Sequence, residues 1–241
     1  MEIRRDRSSV LGHMLVLAGG VVFVASLLGF VDFYLRRWSA VVPGRDGWAG
    51  PVAIDVVLFS VFALHHSIFA RTGLREWVQA RVSPRYERSI YVWISSLLFA
   101  AVYVLWQGVP TVSWAVTGSP AAVLTVVQVT GMLLSVGSAR RLDVLDLAGI
   151  NQAFDRRTTR PAGLVSDGVY GLVRHPIYLG WLLIVWPAPV MTGTRLVFAA
   201  VSTAYLVAAV PFEERGLRRL FGSEYDGYEQ RVRWRMLPFV Y

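Results

Sequence analysis

The sequence predicts an all-α fold: a polytopic integral membrane helical bundle with a re-entrant or kinked helical hairpin and a C-terminal cytoplasmic helix. Three observations predict it. Hydrophobic residues make up 55% of the 241 residues and charged residues only 17%, and the mean hydropathy is +0.48. The charges are clustered, leaving apolar runs of membrane-spanning length between them. The net charge of +8 comes from 24 basic residues, all arginine. They flank the apolar runs, where they face anionic lipid rather than nucleic acid. There is no cysteine, which excludes a disulfide framework, a thiolate metal site and a cysteine nucleophile. No His, Asp and Glu set has metal-ligand spacing, and no serine-based triad is visible.

Met1–Val10 is short and basic, and Leu11–Leu35 is the first predicted span. It is too long for a signal peptide and no small-residue cleavage site follows it, so it is expected to stay as a helix. Pro43, Gly44 and Gly47 mark an irregular loop. Pro51–Ala70 is the second span, with Pro51 suited to a helix start, Asp55 in the first turn, and His65 and His66 near the other end. Arg71–Arg88 carries five arginines, with Leu74, Trp77, Val78 and Val82 at helical spacing, the pattern of a helix on the membrane surface. Ser89–Trp106 and Ala121–Ser138 are the third and fourth spans, separated by the uncharged loop Gln107–Pro120. Arg140, Arg141, Asp143 and Asp146 then restore polarity, the acids being expected to cap or pair with the arginines.

After a polar linker, Arg156–Asp167, come two shorter apolar arms. The first, Ile177–Trp186, would span only ~15 Å as a helix, about half of the ~30 Å hydrocarbon core. The second, Arg195–Val210, is expected to stop at Pro211, with Met191–Thr194 as the turn between them. A hairpin that bends back would leave both ends on one side. Glu213–Val232 is the last predicted helix, interrupted at Gly222. The chain therefore divides into a transmembrane region, residues 1–139, and a more polar region, 140–241. With the N-terminus inside, the arginines at 4, 5 and 7, those from 71 to 88 and the basic segments after 140 fall on the cytoplasmic side, leaving Arg36, Arg37 and Arg45 outside.

The most informative stretch is Gly168–Gly180, with Arg174-His175-Pro176 just before an apolar run. Proline at the first helical position sacrifices no hydrogen bond, and it pushes His175 out of helical geometry. Arg174, His175 and the open N–H groups of the first turn together favour an anionic group, and Tyr170 and Tyr178 offer flat faces for a ring. A cofactor with both a carboxylate and an adenine would suit such a place. The same residues also read as an interfacial anchor, a helix cap and belt aromatics. Composition does not decide between the two.

Gly168-Val169-Tyr170 followed by Arg174-His175-Pro176-Ile177-Tyr178-Leu179-Gly180 resembles the signature of the isoprenylcysteine carboxyl methyltransferase and phospholipid methyltransferase superfamily. So does Glu213-Glu214-Arg215-Gly216-Leu217 with Phe221-Gly222, Tyr225 and Tyr228. The resemblance implies S-adenosylmethionine binding, with contacts from Ala162, Gly163, Leu164, Val165, Tyr170, His175, Pro176, Ile177, Tyr178 and Glu213, and with Glu214 near cofactor and substrate. Ala209 and Val210 stand where the prenylcysteine enzymes carry an arginine, which argues against a prenylated carboxylate. Farther upstream, His65-His66-Ser67, Glu87-Arg88-Ser89-Ile90-Tyr91 and Asp146-Leu147-Ala148-Gly149 resemble the membrane methanethiol S-methyltransferase branch.

These resemblances imply an S-adenosylmethionine-dependent membrane methyltransferase that converts methanethiol to dimethyl sulfide, in a bacterial inner membrane with its site facing the cytoplasm. Methyl transfer from a sulfonium depends mainly on line-up of the reacting atoms, and a thiol acceptor must also lose its proton. Arg174, Glu214 and His66 are the expected catalytic residues: a cation lowers the acceptor pKa and a histidine can take the proton. The expected partners are a small or lipophilic methyl acceptor and membrane lipids, with no nucleic acid and no metal. Two other readings are an enzyme acting on an isoprenylcysteine carboxylate or phospholipid amine, and a non-catalytic membrane accessory protein on the same scaffold.

Overall fold

The computed structural model describes residues 2–42, 47–69, 86–142, 150–154 and 163–241. It is a helical membrane protein. Five helices among the described residues are long and apolar enough to cross a bilayer: Val10–Ser39, Ala49–Ser67, Glu87–Leu105, Gly118–Arg140 and Gly193–Phe221. The expected surface helix over 71–88 falls largely outside the described residues, as do Asp143 and Asp146. The chain forms two compact units.

The first unit contains 1–35, 57–106 and 143–161. Its frame is α1 (Glu2–Leu35), the second half of α2 (Ala49–Phe69) and α3 (Glu87–Leu105), with the short α5 (Ile150–Ala153) beside α1. Three glycines of α1 face three aromatics with one constant offset. A β-carbon on Gly12 would lie 2.2 Å from the Tyr86 hydroxyl, one on Gly19 2.8 Å from the Trp93 ring nitrogen, and one on Gly29 2.5 Å from the Tyr103 hydroxyl. The constant offset means that α1 and α3 run parallel. Small residues let membrane helices approach closely, and Trp93 Nε1 donates to the Leu15 carbonyl at 3.0 Å.

The second unit contains 36–56, 107–142 and 162–241. It holds the first turns of α2, then α4 (Gly118–Arg140), α6 (Pro176–Val185), α7 (Gly193–Phe221) and α8 (Ser223–Arg231). α6 has ten residues, as the short first arm predicted, and packs antiparallel along α4. Gln128 Nε2, buried in α4, donates to the Ile184 carbonyl at 2.7 Å.

The segment between α6 and α7 is not the simple turn expected. Val190–Thr192 is a strand, β2, pairing antiparallel with β1 (Val112–Ala115), which lies in what the sequence read as an uncharged loop. The strands are short, and they join regions distant in sequence, so no alternation announced them. Thr192 caps α7 by accepting from the Arg195 N–H at 3.3 Å, and its hydroxyl donates to the Trp38 carbonyl at 2.7 Å. Asp55, fully buried, accepts the Gln107 N–H at 2.7 Å and so ties the loop before β1 to α2.

The second arm also departs from expectation. It does not stop at Pro211 but continues through it to Phe221, so one helix carries both the apolar arm and the Glu213-Glu214 pair. Proline removes a single backbone donor, a defect that membrane helices tolerate. The break falls at Gly222, where φ is +54°, a conformation that glycine adopts readily. α8 then folds back on α7, with Arg218 clamping Glu229 at 2.6–2.9 Å. Tyr225, Tyr228 and Val232 are buried together against Leu164, Leu217 and Phe221.

Candidate active site

The site is built where α6 starts, beside the lower part of α7. His175 caps α6 with Pro176 as its first residue. The preceding backbone is pinned from the C-terminal segment: the Arg174 N–H donates to the Trp234 carbonyl at 2.9 Å and the His175 N–H to the Arg235 carbonyl at 2.8 Å. The two arginine- and histidine-bearing residues are therefore fixed before their side chains make any contact.

Arg174 is buried, and its guanidinium is committed to the chain itself. Nε and Nη2 both reach Glu214 Oε1, at 2.8 and 2.7 Å. Nη1 donates to the carbonyls of Val232 at 2.8 Å and Arg233 at 3.1 Å. Glu214 is only 1% exposed, and its second oxygen accepts from Arg235 Nε at 3.1 Å. Two guanidiniums thus hold one buried carboxylate.

Glu213, the adjacent residue, differs. Its side chain is 36% exposed, its Oε2 accepts the Tyr178 hydroxyl at 2.7 Å, and His175 Nδ1 stands 3.7 Å away. The His175 and Tyr178 rings stack at 5.3 Å, 10° from parallel. His175 Nε2 lies 3.4 Å from Glu214 Oε1, so the ring stands between the two carboxylates.

Tyr170 is buried behind this group. Burial, with the negative charge of Glu213 adding to it, pushes its phenol up to about 12. Burial likewise raises Tyr228 to about 12. Both remain neutral donors at physiological pH: Tyr170 to the Ser138 carbonyl at 3.3 Å, and Tyr228 to the Tyr170 carbonyl at 2.7 Å.

The structure brings together Arg174, His175, Pro176, Tyr178, Glu213 and Glu214, with Tyr170 packed behind. Ile177 follows in the first turn of α6, half-buried. Gly163, Leu164 and Val165 form an irregular segment, of which Leu164 packs on the Tyr225 and Tyr228 cluster. Ala162 lies outside the described residues. His66 belongs to the first unit, where its Nδ1 is 2.7 Å from the Tyr91 hydroxyl. Arg235 is the residue that sequence reasoning missed. The alternation Arg231, Arg233, Arg235 hinted at an extended basic segment, but nothing local named Glu214 as the partner.

Residues 121–224 match the phospholipid methyltransferase family. A helical membrane bundle with this match is an integral membrane methyltransferase. Methanethiol S-methyltransferase 2 of Bradyrhizobium diazoefficiens is 36% identical over 208 residues, covering 85% of this chain and 80% of that protein. Methanethiol S-methyltransferase of Crocosphaera subtropica is 32% identical, covering 97% of this chain and 95% of that protein. Nurim of Xenopus laevis is more distant in coverage, 30% identical over 64% of this chain and 58% of that protein. The chain belongs to the methanethiol S-methyltransferase family. No solved structure matches it.

Proposed function

We propose that this protein methylates methanethiol to dimethyl sulfide, using S-adenosylmethionine, at a site on the cytoplasmic side of the inner membrane. The observation that carries the reading is the junction of the α6 start with the Glu213-Glu214 pair, joined through Arg174 and Tyr178. The residues present fit the cofactor: the half-exposed Glu213 carboxylate suits a cationic sulfonium or ammonium group, and the stacked His175 and Tyr178 rings beside it suit a flat ring. The cofactor supplies an electrophilic methyl group on a sulfonium. His175, Pro176, Ile177 and Tyr178, with the backbone of Gly163–Val165, would hold and orient it. Arg174 acts through Glu214, keeping the C-terminal segment closed over the start of α6. The crowding of arginines into the segments around 71–88 and after 140 supports a cytoplasmic site.

The prenylcysteine alternative is weakened by the two positions already noted. Ala209 and Val210 are buried apolar residues, so that turn of α7 offers no cation to a prenylated carboxylate.

Membranes containing the protein, given methyl-labelled cofactor and methanethiol, should release volatile label. A prenylcysteine analogue should yield no base-labile label. Absence of volatile label with methanethiol would overturn the proposed acceptor. His175→Ala should weaken binding of the demethylated cofactor about 10- to 100-fold by calorimetry, the loss of one hydrogen bond to a charged group. Unchanged affinity would remove His175 from the cofactor site.

A further inference from the structure

Two adjacent carboxylates in one helix have been given opposite environments. Glu214 is closed on both oxygens by Arg174 and Arg235. A proton taken up there would leave two guanidiniums facing a neutral acid. Glu213 is turned ~100° around the helix from it, is open to water on 36% of its side chain, and receives the Tyr178 hydroxyl.

We propose that Tyr178 and Glu213 form a proton relay that deprotonates the thiol acceptor. The proposal rests on the thiol reading above. A hydroxyl that donates to a carboxylate can take up a proton on its oxygen as it releases its own, so Tyr178 Oη can accept a proton while its own passes to Glu213 Oε2. The relay is held rigid: the Tyr178 ring stacks on His175, and the His175 backbone is pinned to Arg235.

The balance closes. The thiol S–H proton moves to Tyr178 Oη as the Tyr178 proton moves to Glu213 Oε2. A sulfur lone pair forms the new bond to the methyl carbon. The bond from that carbon to the sulfonium sulfur breaks, its electron pair staying on that sulfur and cancelling the positive charge. One proton remains on Glu213 and leaves to water across its exposed edge. Thiol and sulfonium become two neutral thioethers and a proton.

The relay matters only for a thiol that is protonated at working pH. An alkanethiol is such a thiol, since even a cysteine side chain titrates near about 8.5. A small arenethiol is far more acidic and arrives as thiolate. The test uses the purified full-length protein, with Glu213→Gln, Tyr178→Phe and the double variant, assayed on methanethiol and on thiophenol. Binding of the demethylated cofactor is measured in parallel by calorimetry.

Each single variant should lose about 100-fold in methanethiol turnover while the thiophenol-to-methanethiol ratio rises at least about tenfold. The double variant should be no worse than either single, as for residues acting as one unit. Turnover is compared at cofactor concentrations that the calorimetry shows to be saturating, so a change in cofactor affinity, common to both thiols, does not enter the ratio. Equal loss on both thiols at saturating cofactor would overturn the relay and leave Tyr178 and Glu213 as cofactor contacts alone. If the wild type methylates neither thiol, the acceptor reading fails and the relay with it.

Discussion

Glu214→Ala is expected to destabilise the protein by about 3–5 kcal/mol, the range for removing one partner of a buried ion pair. The reason lies in what is left behind. Arg174 has a side chain only 6% exposed, and Glu214 is its carboxylate at 2.7 Å. Without that partner a buried guanidinium is left with two carbonyls and Glu229 at 3.5 Å as its compensation. For a chain of this size the shift in detergent should be on the order of 10 °C in Tm. Arg235 is 33% exposed on its side chain, so it can turn to water. A double-mutant cycle should therefore give a larger coupling for Arg174 with Glu214 than for Arg235 with Glu214. The loss should also be local. Because Arg174 bonds to Val232 and Arg233, amide exchange should rise first in residues 232–236. A Tm within about 2 °C of wild type would refute the clamp.

Much of this fold was legible because bilayers demand simple things of a sequence. Apolar runs had to be helices, and the spans over 51–70, 89–106 and 121–138 came out close to Ala49–Phe69, Glu87–Leu105 and Gly118–Arg140. Gly222 announced its own break. Pro211 misled because proline stops helices in water more reliably than beside lipid. The β1–β2 ribbon stayed hidden because its strands are three and four residues long, and each finds its partner far along the chain. The α1 glycines gave no signal on their own, since their meaning lies in Tyr86, Trp93 and Tyr103.

The two motifs pointed to the segments that meet at the candidate site, but not to the partner each charge takes there. Arg174 and Glu214 carry the strongest motif positions, yet both face inward and neutralise each other. Charge density in the sequence does not say which carboxylate is buried: the Glu214 side chain is 1% exposed and that of Glu213 36%. The third member of the clamp, Arg235, sits 21 positions after Glu214, beyond any helical or strand period that would link them.

Gly180→Val is expected to abolish methyl transfer while leaving most helices formed. Gly180 belongs to the motif, and the structure supplies its physical reason. A β-carbon there would collide with Ser135 Oγ and lie 2.7 Å from the Gly131 carbonyl and 3.0 Å from the Ser135 amide nitrogen. The serine could rotate, but the two backbone atoms cannot. On the opposite helix a β-carbon at Gly131 would meet the Gly180 carbonyl at 2.6 Å. The two backbones touch, so any side chain drives α4 and α6 apart. Alanine should cost about 1–3 kcal/mol, and valine more. The separation would strain the Gln128 bond to Ile184 and displace Tyr178 and His175, which lie less than two turns before Gly180 on the same short helix. A misplacement of ~1 Å at reacting groups costs on the order of 100-fold in rate. Gly137→Ala is the control. It lies in the same α4 helix, with nothing within 4 Å of a built β-carbon. There the substitution should be neutral or stabilise by about 0.5–1 kcal/mol through helix propensity. Similar activity losses at Gly137 and Gly180 would mean that helix propensity, not close approach, governs this pair. A loss confined to Gly180 and Gly131 would mean that the α4–α6 contact sets the position of the site.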